Sequence, residues 1–254
     1  MSTNLEISQD GRVLRVTLDR PAKRNALTLE MCRELADAIE GADAGAILLA
    51  AKGEAFCAGM DLDEALAGDA ADHAAVHDQL FTIGSRVSVP LVAQVNGPAL
   101  GGGLGLLANA HVAVAAEGAT FGLTEIRLGM WPFVVYRSMV LAVGERRALE
   151  LSLTGRIIGA EEALAWGLVH EVVPALELDG RAAEIAARIA GFSRDTIRRG
   201  MDFVNEARGL EGAEVRRLAA RARKPVFEGA DFREGVAAFR EKRPPRWPLL
   251  NSRA

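Results

Sequence analysis

The residues best suited to chemistry are a run of glycines and one glutamate behind it. In the stretch from Gln94 to Ala110, QVNGPALGGGLGLLANA, a short apolar strand (Leu91 to Val95) gives way to Asn96-Gly97-Pro98, and Gly101, Gly102, Gly103 and Gly105 follow. Leu104, Leu106, Leu107 and Ala108 read as the first turns of a buried helix. Glycine in a helix interior costs about 1 kcal/mol against alanine. At a helix start it instead exposes N–H groups that have no intrahelical partner. The residues alone leave three readings open. The glycines could save space where helix meets sheet, or bind a dinucleotide through Gly103 to Ala108, a G-x-G-x-x-A match. They could also cradle an oxygen that becomes anionic during a reaction. The dinucleotide match has the wrong context, because Asn96 to Leu100 separates it from its strand.

Glu125 follows in Thr124-Glu125-Ile126-Arg127-Leu128-Gly129, among apolar neighbours. A desolvated carboxylate has a raised pKa, which suits a general acid or base; an ion pair with Arg127 or Arg137 is the competing reading. His73 and His77 are four apart on an expected helix over 72–86 and share a face. Metal binding would need a third ligand that the sequence does not offer, so a solvated face is the better reading and no metal is expected.

The elements that must position these groups read as mixed α/β, then all helix. Leu5 to Ser8 and Val13 to Leu18 flank Asp10-Gly11, a hairpin signal. Thr28 can cap a helix with Met31, Leu35 and Ile39 on one face, and Ala46 to Ala50 has the length of a buried strand. A second loop of small residues, Gly53 to Leu62, comes next. After the glycine run come a strand (His111 to Ala115), a loop (Ala119 to Gly122), helices over Val134 to Leu153 and Ala160 to Trp166, and a strand near Leu168 to Val173. Amphipathic helices then cover Leu178 to Ala190, Arg194 to Glu206, Gly212 to Arg223 and Asp231 to Arg240, ended by Pro244, Pro245 and Pro248. The change of pattern divides the chain into a core (1–190) and a C-terminal helical region (191–254).

At 254 residues, half hydrophobic and a quarter charged, the chain has the composition of a globular protein with a sizeable core. A net charge of −4 gives no case for nucleic acid. Cys32 and Cys57 are too few for a disulfide framework, which points to a reducing compartment, and the first residues carry no signal pattern. Val87 to Ala116 lacks Asp, Glu, Lys and Arg, long enough to span a bilayer. Its polar residues and glycines break any single helix, so no membrane partner is expected. The expected location is cytoplasmic.

Six segments in order resemble the crotonase superfamily, the enoyl-CoA hydratase/isomerase family, over essentially the whole chain. They are Arg20-Pro21 with Asn25-Ala26-Leu27, Phe56 to Leu62, Asn96 to Gly103, Phe121-Gly122 with Glu125 and Gly129, Leu153 to Arg156 with Gly167-Leu168-Val169, and Glu234 to Arg243. The resemblance implies a ClpP/crotonase-like α/β fold, a spiral of ββα units with a C-terminal helical oligomerisation region, assembling as a homotrimer or homohexamer. It implies acyl-CoA thioester chemistry, with no permanently bound cofactor and coenzyme A arriving as part of the substrate. The backbone N–H groups of Met60 and Gly102 would hold the thioester oxygen as it becomes enolate-like, and Glu125 would move the proton. Coenzyme A would meet Ala58, Asp61 and Leu62 at its adenine and Lys23 and Arg24 at its nucleotide end, with Phe239 and Lys242 supplied by a neighbouring subunit.

Two departures matter. Hydratases of this family carry a second glutamate where this chain has Gly105, and a glycine-rich run where it has Trp131-Pro132-Phe133-Val134-Val135-Tyr136. Adding water needs one group to hold water and one to exchange the carbon proton, whereas a double-bond shift needs a single carboxylate. Hydration of a 2-enoyl-CoA and isomerisation of a 3-enoyl-CoA to a 2-enoyl-CoA therefore both stand as expectations. Decarboxylation, thioester hydrolysis and non-catalytic acyl-CoA binding are lesser alternatives.

Overall fold

The computed structural model describes residues 4–67 and 70–247. Strands β1 (Leu5–Asp10) and β2 (Val13–Leu18) form the expected antiparallel hairpin, and Gly11 supplies the left-handed turn residue at φ 54°. Helix α1 (Leu29–Glu40) starts at Thr28, whose hydroxyl accepts a hydrogen bond from the Met31 N–H at 3.2 Å, and buries Met31, Leu35 and Ile39. Strand β3 (Ala46–Ala51) pairs parallel with β2. Helices α2 (Leu62–Ala67) and α3 (Ala70–Phe81) follow; α2 went unread in the sequence, and α3 ends five residues before the expected Arg86, in a short 3-10 turn over Ile83–Ser85.

The uncharged segment then resolves into β4 (Leu91–Val95), β5 (Ala99–Leu100), α4 (Gly102–Ala108) and β6 (Val112–Ala116). No helix among the described residues is long and apolar enough to cross a membrane. The stretch read as a loop after β6 is strand β7 (Thr120–Gly122). The expected long helix over 134–153 is two, α5 (Phe133–Val143) and α6 (Glu145–Thr154), broken at Gly144, where φ 83° and ψ 157° leave helical space. Strand β8 (Ile158–Gly159), α7 (Ala160–Trp166) and β9 (Glu171–Val173) complete the mixed part.

One sheet runs β1-β2-β3-β4-β6-β9, parallel after the first pair, and a small second sheet runs β5-β7-β8. A parallel sheet must be covered on both faces. One face carries the main core with α1, α3, α4, α5 and α7; the other is covered by α8 (Leu178–Ala190), whose Leu178, Ala182, Ile185 and Ala186 pack on Val13, Leu48, Val92 and Val114. Beyond α8 the described chain is helical: α9 (Arg194–Ala207), α10 (Ala213–Glu228) and α11 (Ala230–Glu241). Pro244 and Pro245 follow α11, while Pro248 lies outside the described residues.

Candidate active site

Two loops that leave neighbouring strands are locked side by side. The Cys57 N–H donates to the Pro98 carbonyl at 3.1 Å and the Leu100 N–H to the Cys57 carbonyl at 3.0 Å. On its other side the same segment pairs with the N-terminal loop, the Leu27 N–H donating to Gly59 at 2.7 Å and the Asp61 N–H to Leu27 at 2.9 Å. This alternation occupies the groups on either side of Met60. Gly102 is the first residue of α4, where an N–H has no partner inside its own helix. Among the described residues neither the Met60 nor the Gly102 N–H meets an acceptor. They are close together, since a Cβ at Gly102 would stand 3.6 Å from the Met60 nitrogen. A Cβ at Gly59, where φ is 99°, would stand 3.3 Å from the Gly102 nitrogen and 2.9 Å from the Leu100 carbonyl oxygen. Glycine at 59 thus keeps the space beside this donor pair open.

The glycine run divides its tasks. Gly103 and Gly105 are packing residues: a Cβ would meet the Cys57 carbonyl oxygen at 2.2 Å and the Val135 Cγ1 at 2.2 Å, respectively. Gly101 has φ 53° and ψ −121°, and a Cβ there would lie 3.2 Å from Glu125 Oε1. The backbone turn at Gly101 and the carboxylate of Glu125 therefore occupy one small space next to the donors. Glu125 opens a single 3-10 turn, Glu125–Leu128, closed by Gly129 in the left-handed region at φ 72°. Its Oε2 is buried with no hydrogen-bond partner, and burial raises its pKa above the usual carboxylate range. No ion pair to Arg127 or Arg137 forms among the described residues, so the desolvated-carboxylate reading holds.

A cavity of 570 Å³ opens over these groups. Met60, Gly101, Gly102 and Glu125 line it, together with an apolar wall from Phe81, Leu128, Met130, Trp131, Phe133 and Val135. Trp131 to Val135 thus fill space beside Glu125 and the Met60 and Gly102 N–H groups, while Tyr136 does not line the cavity. At Gly105 the room a longer side chain would need is taken by Val135 and by Phe81, whose Cδ1 is 3.3 Å from the would-be Cβ. The donor pair, one carboxylate and an apolar chamber are what proton transfer next to a thioester carbonyl requires.

The structure brings Arg24, Ala58 and Leu62 to this cavity along with Met60, Gly102 and Glu125. Lys23 instead pairs with Asp63 at 3.2 Å, in the open. Asp61 is buried beneath the donor loop. Its Oδ2 accepts from Arg20 at 2.6 Å, which lowers its pKa, and its Oδ1 accepts the Asp63 and Glu64 N–H groups at the start of α2. Arg20 also donates to the Ala26 carbonyl, and Asn25, at φ 55°, donates to the Lys52 and Ala55 carbonyls. This set of bonds ties the N-terminal loop to the segment carrying Met60. Phe239 is 85% exposed and lines a separate groove on the C-terminal helices, and Lys242 caps α11 in a left-handed conformation; within one chain neither reaches the cavity.

Sequence reasoning missed Phe81 and His77. His77 was placed with His73 on a solvated helix face; His77 is instead buried on the wall of the cavity, and the side chain of His73 lies outside the described residues. The signal that would have found it is the i, i+3, i+7 spacing of Ala74, His77 and Phe81, a helix stripe that faces the cavity. Among the described residues no three metal-ligating side chains converge.

The family model for enoyl-CoA hydratase/isomerase matches residues 8–249. The chain is 34% identical to the mevalonyl-coenzyme A hydratase of Aspergillus fumigatus over 92% of this chain and 91% of that one. Among solved structures, an enoyl-CoA hydratase of Mycobacterium smegmatis superposes with a TM-score of 0.91 at 29% identity, covering 97% of this chain and 99% of its own. Human enoyl coenzyme A hydratase domain-containing protein 3 superposes with a TM-score of 0.90 at 30% identity, covering 96% and 100%.

Proposed function

This chain belongs to the enoyl-CoA hydratase/isomerase family and has the crotonase fold, and from that premise we propose that it isomerises 3-enoyl-CoA to 2-enoyl-CoA through an enolate. The thioester oxygen sits between the Met60 and Gly102 N–H groups, each donor of this kind being worth about 2.7–4 kcal/mol in the transition state. Glu125 removes a proton from C2, the charge spreads onto the held oxygen, and the same carboxyl returns the proton at C4. Coenzyme A remains part of the substrate, its nucleotide end at the Arg24, Ala58 and Leu62 side of the cavity; Lys23, Asp61 and a neighbouring subunit's Phe239 and Lys242 complete that end. The working form is a cytoplasmic homotrimer or homohexamer, and the apolar groove lined by Phe192, Phe232 and Phe239 on the C-terminal helices supports an association there.

The observation that carries the reaction type is that Glu125 is the one carboxylate lining the cavity among the described residues. Glu125 stands beside the donors, while the space around position 105 is taken by Val135 and Phe81. Hydration of a 2-enoyl-CoA is the second reading, favoured by relatives named as hydratases. It would require Glu125 alone to orient the water and exchange the carbon proton. Incubating the protein separately with a 3-enoyl-CoA and a 2-enoyl-CoA and following both by NMR separates the two. Migration of the double bond without a 3-hydroxyacyl product is expected. A 3-hydroxyacyl-CoA that disappears in Glu125→Gln would establish the second reading instead.

A further inference from the structure

We propose that the chain carries a second binding site, for a small phosphorylated molecule, in a separate cavity at the end of α4 opposite the thioester site. The inference goes beyond the isomerase reading, since the two cavities share no lining residue.

Three observations carry it. First, a cavity of 340 Å³ lies where α5, the end of α4, the 3-10 turn Ile83–Ser85 and the segment between α7 and β9 meet. Arg137 on α5 and Arg208, the C-terminal cap of α9, line it beside His111 and His170, and no aspartate or glutamate among the described residues does. Second, these cations are not neutralised within the chain. Among the described residues neither Arg137 nor Arg208 pairs with a carboxylate. The acids nearby in sequence are engaged elsewhere, Glu171 with Arg181 at 2.6 Å and Glu206 with Arg221 at 3.2 Å. Third, His170 offers a donor. Its Nδ1 accepts the Ala113 N–H at 3.1 Å, which leaves the ring proton on Nε2, and among the described residues that N–H meets no acceptor.

His111 has a different task. Its Nδ1 accepts from the Leu91 N–H and its Nε2 donates to the Gly84 carbonyl, both at 2.9 Å, so the ring is a fixed part of the wall. Burial lowers its pKa and the Arg208 charge adds to that, as expected beside a cationic cavity. The chemistry of the three free donors favours a phosphoryl group. Arg137, Arg208 and His170 come from separate parts of the chain, and each can take one of its three oxygens. A carboxylate has two oxygens and about half the charge. The volume lies near the lower end for small-molecule sites, which leaves room for an organic portion against Leu107, Leu141 and Leu168.

The test titrates the intact protein with inorganic phosphate and with glycerol phosphate, followed by phosphorus NMR at low ionic strength. Wild type should bind both saturably, at one site per chain. Arg137→Gln with Arg208→Gln should weaken binding roughly tenfold or more, and His170→Leu about threefold. Arg33→Gln, which removes an exposed arginine of α1, should change nothing. Butanoyl-CoA should bind the double variant as it binds wild type. Absence of saturation would overturn the proposal, as would phosphate binding that the double variant leaves unchanged or that Arg33→Gln weakens equally. A parallel loss of butanoyl-CoA binding would also overturn it, by making the cavity a seat for coenzyme A itself. So would a double variant whose mass falls in sedimentation while wild type ignores phosphate, which would assign the arginines to acidic side chains of a second copy. None of these readouts depends on turnover, so this site and the isomerase reading fail separately.

Discussion

Replacing Gly101 with alanine tests the link between backbone and carboxylate more sharply than removing the carboxylate itself. At φ 53° and ψ −121° Gly101 lies where residues bearing a Cβ are strained, at a cost of about 1–3 kcal/mol. For a chain of this size each kcal/mol corresponds to roughly 2–4 °C in Tm. The added methyl would also meet Glu125 Oε1 at 3.2 Å and Cδ at 3.5 Å, so the carboxyl must give way by a few tenths of an ångström. Misplacement of a reacting group by 1 Å can cost about 10²-fold, and a shift of this size should lower kcat/KM by roughly tenfold. Scanning calorimetry and initial rates, corrected for folded fraction, separate the two effects. Gly118→Ala is the control, because its φ is ordinary and open space surrounds the added methyl. Gly101→Ala with wild-type Tm and wild-type kcat/KM would refute the reasoning. A fall in Tm with an unchanged rate would show that Gly101 does not hold Glu125 in place.

Burial raises the Glu125 pKa, so the folded state holds its proton at pH values where the unfolded state has released it. Stability is therefore lost as pH rises from the ordinary carboxylate value towards the folded one, and the deficit persists at neutral pH. Glu125→Gln should accordingly melt above wild type at pH 7, with the advantage disappearing below pH 4.5; calorimetry across that range checks the sign. Gly105→Ala should cost about 1–3 kcal/mol by crowding Val135, and combining it with Val135→Ala should recover most of that, a coupling that urea melts of the four variants will measure. Arg20→Ala leaves the buried Asp61 carboxylate without its cation. It should lower stability by about 1–3 kcal/mol and reduce kcat/KM through the Met60 loop, with Arg20→Lys recovering part of both in denaturant melts and rate assays.

Much of the frame was legible because its signals are local. The Asp10-Gly11 turn, the Thr28 cap and the uncharged run of strands each follow from side-chain chemistry within a few residues. The break between α5 and α6 was missed because the apolar pattern continues through Gly144, and β7 was missed because three residues carry no period to read. The site divides in the same way. Met60 was found through motif resemblance, the glycine run and Glu125 already through their own neighbours, and the structure brings Met60, Gly102 and Glu125 to one cavity. That Gly103 and Gly105 serve packing while Gly101 and Gly102 face the cavity depends on contacts with Cys57, Val135 and Glu125, which no spacing encodes. His77 was assigned to a solvated face and is buried, since nothing in a local pattern says which stripe of α3 meets the cavity.

The central claim is that Glu125 takes a proton from the carbon next to a thioester whose oxygen is held by Met60 and Gly102. Butanoyl-CoA has that carbon and no double bond, which isolates the step from hydration and migration. Incubated with the protein in D2O and followed by proton NMR, it should lose its C2 proton signal as deuterium enters. Glu125→Gln should abolish the exchange while still binding the thioester. Exchange that continues at the wild-type rate in Glu125→Gln would assign the proton to another group and contradict the account.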